Sequence, residues 1–129
     1  MNFPCKIIEK LSFNVTVEDT NYAIETSNNS SVSDLTFNLD LKRLRLSVDG
    51  ETGTAGFCNF SVPAELMSGD FSLYLDDVAL VEGVDYTELY NGINYLFNVN
   101  YIHSSHILEL FSTSVVPDFA AWLFLPFLM

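Results

Sequence analysis

The segment Leu11-Ser12-Phe13-Asn14-Val15-Thr16-Val17-Glu18 alternates apolar and polar side chains without a break. In an extended chain successive side chains point to opposite faces, so Leu11, Phe13, Val15 and Val17 share one face and Ser12, Asn14, Thr16 and Glu18 the other. That is a half-buried strand. The same period returns at Tyr22 to Thr26, at Leu35, Phe37 and Leu39, at Leu44, Leu46 and Val48, and through Gly56 to Val62. It continues at Phe71, Leu73 and Leu75, at Tyr86 to Tyr90, Tyr95 to Tyr101 and Ile107 to Phe111. Between these runs stand Ser27 to Ser31, read as a loop, Asp40-Leu41-Lys42, read as a hairpin turn, and Asp49 to Gly53, rich in residues that tolerate positive φ. Asp76-Asp77 leads into a short connection to Val81, and Asn91-Gly92 is a strong hairpin signal. Pro63 to Met67 reads as one helical turn with proline at its start, ended by Ser68-Gly69-Asp70. About eight or nine short strands with frequent turns predict an all-β chain, an immunoglobulin-like antiparallel β-sandwich over residues 11–114, preceded by an N-terminal extension over 1–10. No internal repeat is visible, which speaks against a solenoid.

The last segment, Val115 to Met129 (VVPDFAAWLFLPFLM), breaks the pattern. Pro117 cannot continue a ladder through its nitrogen, and Asp118 is a good helix N-cap. From Phe119 on the side chains are apolar apart from the indole of Trp122. As a helix this run is roughly 17 Å long, against ~30 Å for a bilayer core. It reads as the start of a transmembrane helix cut off by the end of the chain, as an interfacial segment with Trp122 at headgroup level, or as a last core element. A run with no polar face has no side to show water, and Pro126 is tolerated better in a membrane helix than in a soluble one. Residues 115–129 are therefore expected to be a hinge and a truncated hydrophobic anchor.

Pro117-Asp118-Phe119 followed by that run resembles the C-terminal sorting tail of archaeal surface proteins of the PEF-CTERM type, with Asp in place of Glu. In that family a membrane helix and a short basic cluster follow the motif; the rest of the helix and the cluster are missing here. GTAGFCNFSVPAEL (Gly53 to Leu66) and YIHSSHILEL (Tyr101 to Leu110) are similar to stretches of the membrane-proximal β-domain of such proteins. The resemblance covers Leu11 to Met129. It implies a membrane-anchored, extracellular β-domain and a sorting transpeptidase as a partner.

The 129 residues suit one domain. Seventeen acidic and five basic side chains give a net charge of −12, which argues against nucleic acid and against polybasic contact with anionic lipid. Three of the bases, Lys42, Arg43 and Arg45, stand together and read as a solvated turn and edge protection. The start MNFPCKIIEK lacks the basic and apolar regions of a signal peptide. For an exported protein this predicts a fragment; the alternative is a complete cytoplasmic chain. Cys5 and Cys58 form one disulfide or none; Cys58, in a strand, also reads as a small buried hydrophobe.

Asn14, Asn28, Asn29 and Asn59 each begin an Asn-X-Ser/Thr sequon, and all four are expected to be accessible for glycosylation. A polar strand face gives the same pattern without any glycan. His103 and His106 flank Ser104-Ser105 on an expected hairpin tip, as a metal or base pair or simply as turn hydrogen-bonders, and no third ligand stands nearby. Asp76, Asp77 and Asp85, and Asp49 with Glu51, match no EF-hand and read as a solvated acidic face. Tyr74, Glu88 and Tyr90 are candidates for an outer face that stacks on sugars. No phosphate loop, nucleophile elbow or metal-binding cysteine cluster occurs. The sequence thus predicts a non-catalytic extracellular stalk or spacer with no cofactor, partnered by the membrane through its C-terminal segment. Carbohydrate- or protein-binding at the cell surface is the alternative, and an enzyme a third option.

Overall fold

Period-two alternation becomes ten β-strands in the computed structural model, which describes residues 9–115. They are β1 (Glu9–Val17), β2 (Thr20–Asn28), β3 (Ser31–Asn38), β4 (Arg43–Asp49), β5 (Ala55–Pro63), β6 (Met67–Leu75), β7 (Val78–Ala79), β8 (Tyr86–Tyr90), β9 (Asn94–Ile102) and β10 (Ser105–Val115). Two five-stranded sheets pack face to face, ordered β1-β2-β5-β9-β8 and β3-β4-β10-β6-β7. Every pairing between these strands is antiparallel. The all-β sandwich expected from the alternation is therefore what the chain forms, and no helix occurs among the described residues. The helix expected to start at Asp118 lies outside them.

The inner faces are the alternating apolar positions. β4 buries Leu44, Leu46 and Val48; β5 buries Cys58, Phe60 and Val62; β9 buries Phe97, Val99 and Tyr101; β10 buries Leu108 and Leu110. An aromatic cluster joins the sheets. Phe60 and Phe97 stack at 5.1 Å within the first sheet, and Phe71 of β6 meets Phe97 edge-on at 5.1 Å and Tyr95 at 4.7 Å. Such offset and edge-on geometries suit the ring quadrupoles.

Four connections depart from the sequence reading. Residues Pro63 to Met67 form no helical turn. Pro63 ends β5, the Leu66 amide bonds to the Pro63 carbonyl at 2.9 Å, and Leu66 and Met67 are both fully buried. Two consecutive buried apolar residues pull the chain across to the other sheet before a helix can form. Ser68-Gly69-Asp70 then lies inside β6, where the register against β10 shifts between Ser112 and Ser114. Gly69 takes φ +91° at this bulge, and any side chain there would overlap the Thr113 hydroxyl, which accepts the Asp70 amide at 2.9 Å.

The Ser27 to Ser31 loop is also shorter than expected. β2 runs through Asn28, and Asn29-Ser30 alone carries the chain to β3. Side-chain amides replace loop length here. Asn28 Oδ1 accepts the Ser30 amide at 2.7 Å, while Asn29 Oδ1 accepts the Phe57 amide at 2.9 Å and its Nδ2 donates to the Ala55 carbonyl at 3.1 Å. Glu18 is not a strand residue: Glu18 and Asp19 hold positive φ (48° and 69°) in a two-residue hairpin turn. Asp76 and Asp77 (51° and 68°) do the same between β6 and β7. Both turns lack the Asn-Gly signature; the first was expected to continue the strand, and the second was expected to open a connection to Val81, within which the short strand β7 forms.

The registers define two poles. Glu9, the Asn28 to Ser31 crossing, the end of β4, the start of β5 and the β9–β10 corner share one end. The β1–β2, β3–β4, β5–β6 and β8–β9 turns share the other, where Val115 leaves β10. The described residues thus begin at one pole, with Glu9, and end at the opposite one, with Val115. β10, the longest strand, runs roughly 35 Å between them.

Candidate functional site

Two places concentrate polar chemistry: the entry pole, which holds both histidines, and the outer face of the first sheet.

At the entry pole the chain passes from β9 to β10 through His103 and Ser104. These strands belong to different sheets, so the segment is a crossover corner rather than the expected hairpin tip. The ring of His103 is buried, 4% exposed. Its backbone is pinned on both sides, with its amide on the Thr54 carbonyl at 2.7 Å and its carbonyl receiving the Gly53 amide at 3.0 Å. The Thr54 hydroxyl donates to the Glu51 carbonyl at 2.6 Å, so it accepts from His103 Nδ1 at 2.7 Å. His103 Nε2 then accepts from the Ser30 hydroxyl at 2.9 Å, and Ser30 accepts from the Tyr101 phenol at 2.6 Å. This assignment gives every hydrogen one acceptor. Burial raises the Tyr101 phenol's pKa; the Ser30 bond only partly offsets this, and Cys58 adds to it. Gly50 and Gly56 face the ring directly. A methyl on Gly50 would overlap His103, and one on Gly56 would lie 2.5 Å from Tyr101 and 2.6 Å from His103. The serine–histidine pair resembles a nucleophile and base, yet both members are buried and every group is used to close the corner.

His106 performs a second closure. Its Nε2 meets the Ile102 carbonyl at 2.6 Å and its Nδ1 meets Asp76 Oδ2 at 2.5 Å, while Asp76 Oδ1 accepts the Ile107 amide at 2.8 Å. Both ring nitrogens face acceptors, the arrangement that favours the imidazolium. Burial pushes its pKa down, but the Asp76 bond, the Ile102 carbonyl and the charges of Asp76 and Asp49 outweigh it, so the pKa is raised. Burial raises the Asp76 pKa, but the His106 bond, the Ile107 amide and the His106 charge together outweigh it and leave the pKa lowered. The sign follows. The His106 contribution is full below the unfolded pKa of ~6.5 and is lost as pH rises through the higher folded value. The Asp76 contribution is present above ~3.9 and is lost as pH falls through its lowered value. Wild type should therefore lose stability as pH rises above about 6.5, by no more than about 1 kcal/mol because Asp76 is 46% exposed. Asp76→Asn should flatten that fall in thermal melts; superimposable profiles for the two proteins would refute the pair.

On the outer face of the first sheet, directly opposed residues form two rows across all five strands. One is Ser12, Glu25, Ser61, Leu96 and Leu89; the other is Lys10, Ser27, Asn59, Asn98 and Thr87. Between them lies an open trough of about 560 Å³. Asn98 Nδ2 donates to Thr87 at 3.2 Å. β5 and β9, which floor the trough, carry no acidic or basic side chain, although the chain holds 17 acidic residues. The trough is thus close to neutral, with Lys10 and Glu25 at one end and Leu89 and Leu96 at the other. Alternation assigned Ser12 and Asn59 to outward faces, whereas Ser27 was expected in a loop. Only the register reveals that they line up, although the missing charges of β5 and β9 were legible.

The remaining candidates separate. Tyr74 lies on the second sheet, edge-on to Phe111 at 5.6 Å, whereas Tyr90 lies on the first, stacked on Tyr95 at 4.6 Å. They form no common platform with Glu88. Burial, then Glu82 and Asp70, raises the Glu88 carboxyl. Arg43 and Arg45 are neither turn nor edge residues: they sit on the interior strand β4 and approach Glu109 at 3.5 and 3.9 Å. Asn14 is exposed, Asn59 half-buried in the trough and Asn29 half-buried with its amide engaged. Asn28 is fully buried, contrary to the expected accessibility, because the inner face of β2 continues through it. Cys58 is fully buried and its thiol is pushed up to about 12 by burial; this leaves it unreactive. Cys5 and the tail residues Pro117, Asp118, Phe119 and Trp122 lie outside the described residues. Among the described residues no three histidine, cysteine or carboxylate side chains gather as a metal site. Gly53 to Leu66 and Tyr101 to Leu110, the two stretches that carried the sequence resemblance, meet at the entry pole, where Gly56 makes room for Tyr101 and His103. Comparison with family models, curated proteins and solved structures gave no match.

Proposed function

We propose that the chain is a non-catalytic extracellular spacer, an immunoglobulin-like sandwich set between a membrane anchor and more distal parts of a surface protein. The observation that carries this reading is the path of the described residues, which begin at one pole with Glu9 and end at the other with Val115. Ends at opposite poles let a domain stand in line and add its length of roughly 35 Å to a stalk; ends side by side would make it a branch. The use of both histidines in closing corners agrees with a mechanical role. In the same reading Pro117 is the hinge, the run from Phe119 enters the membrane, and Pro117-Asp118-Phe119 is presented to a sorting transpeptidase.

The test is made in cells that produce the intact protein. Deleting everything from Phe119 onward should move the protein from the membrane fraction to the medium. Unchanged membrane retention would refute the anchor, and with it the spacer.

A further inference from the structure

We infer that the trough on the first sheet is the seat of the chain's own glycan, carried on Asn59. This rests on the extracellular reading above. Of the four sequons, the structure gives only Asn59 both a reachable amide and a cavity. Asn28 is fully buried, and Asn29 spends its amide on Phe57 and Ala55. Asn14 is exposed on β1 but does not line the trough. Asn59 stands at the centre of its row, with two strands on either side, and makes no side-chain hydrogen bond to the described residues. Ser61, the hydroxyl residue of the same sequon, is two positions along β5 and so faces the same trough.

The chemistry of the walls matches a neutral polyhydroxylated occupant. Asn98, Glu25 and Lys10 supply donors and acceptors for hydroxyl groups, and Leu89 and Leu96 supply an aliphatic surface for the C–H face of a sugar ring. The volume, about 560 Å³, falls within the ~300–1,000 Å³ typical of small-ligand sites. Neither row carries an aromatic ring to act as a stacking platform, and Phe57, two positions from Asn59 on the same face of β5, is half-buried and does not line the trough. A free sugar would bind weakly to such walls. A tethered one does not need intrinsic affinity, because attachment supplies a high effective concentration. That difference favours the chain's own glycan over a captured one. It also gives Leu89, which is 62% exposed, a cover.

The modification joins Asn59 Nδ2 to the anomeric carbon of a lipid-phosphate-activated oligosaccharide. The amide loses one proton to the transferase, and the lipid phosphate leaves with the electrons of the broken C–O bond.

The experiment uses full-length protein from cells that make it, with surface exposure scored independently by a membrane-impermeant amine label. Mass spectrometry of the Asp-N fragment Asp49 to Gly69 should show sugar on Asn59, absent in Asn59→Gln and Ser61→Ala. Enzymatic removal of the glycan should lower Tm by roughly 3–6 °C. Leu89→Ser/Leu96→Ser, still glycosylated, should lose that shift. Bare Asn59 on surface-labelled protein would overturn the inference and leave the spacer standing. A glycan whose removal does not move Tm would overturn the seat. Protein that escapes the surface label would overturn both.

Discussion

Replacing His103 with alanine is expected to cost about 3–4 kcal/mol of stability, read from the denaturant midpoint. The ring fills a buried corner between Gly50, Gly56 and Tyr101, and its loss leaves a cavity and removes one hydrogen bond each from the hydroxyls of Ser30 and Thr54. A double-mutant cycle separates the ring's space from its hydrogen bonds. In wild type Gly50→Ala should cost about 2 kcal/mol, because the three atoms nearest the added methyl all belong to the His103 ring. In the His103→Ala background the methyl enters the vacated space and should cost close to nothing. A coupling of about 2 kcal/mol is therefore expected. Equal cost of Gly50→Ala in both backgrounds would show that the glycine serves some purpose other than admitting the ring.

Phe97→Ala is expected to be at least as severe, at about 3–5 kcal/mol. Phe97 is fully buried and stacks on Phe60 within its own sheet, while Phe71 reaches it from the facing sheet. Truncation removes a large apolar area and separates the two sheets' aromatic cluster. Phe97→Leu should recover most of the loss, leaving roughly 1.5 kcal/mol, because much of the volume is kept. Tyr90→Ala provides the control. Tyr90 is aromatic too, but 56% exposed at the sandwich margin, so its removal should cost under about 1 kcal/mol. If Phe97→Ala unfolded at nearly the wild-type midpoint, the cluster would not be what joins the sheets. Against total stabilities of about 5–15 kcal/mol, either of the two large losses leaves a marginal domain.

The alternation was enough for the class of the fold because it reports which side of a strand faces water, and that is local. Leu44, Leu46 and Val48 are fully buried where the period puts them, as are Phe60, Val62, Phe97 and Val99 to within a few percent. The Asn91-Gly92 hairpin is also present, with Gly92 at φ +95° and Asn91 Oδ1 receiving two amides. Where the reading failed, a distant contact had replaced a local signal. Glu18-Asp19 and Asp76-Asp77 take left-handed turns without glycine, because the flanking ladders hold them there. Pro63 to Met67 looks like a helix start, but burial of Leu66 and Met67 decides its course.

The same division applies to the sites. By itself the sequence determined an all-β chain, an acidic surface, four sequons and an apolar tail, since each depends on residue type and short-range order. The tertiary structure alone decided that Asn28 is buried, that Tyr74 and Tyr90 stand on different sheets, and that Asn59 lies in a trough. It also decided that Ser30, Thr54, Tyr101 and His103 close one corner, although Ser30 and His103 are 73 residues apart. The physical reason is the same for all of these. A strand's period fixes which face a side chain occupies, but the neighbour it meets there is set by strand order and register, and those follow from packing two sheets together.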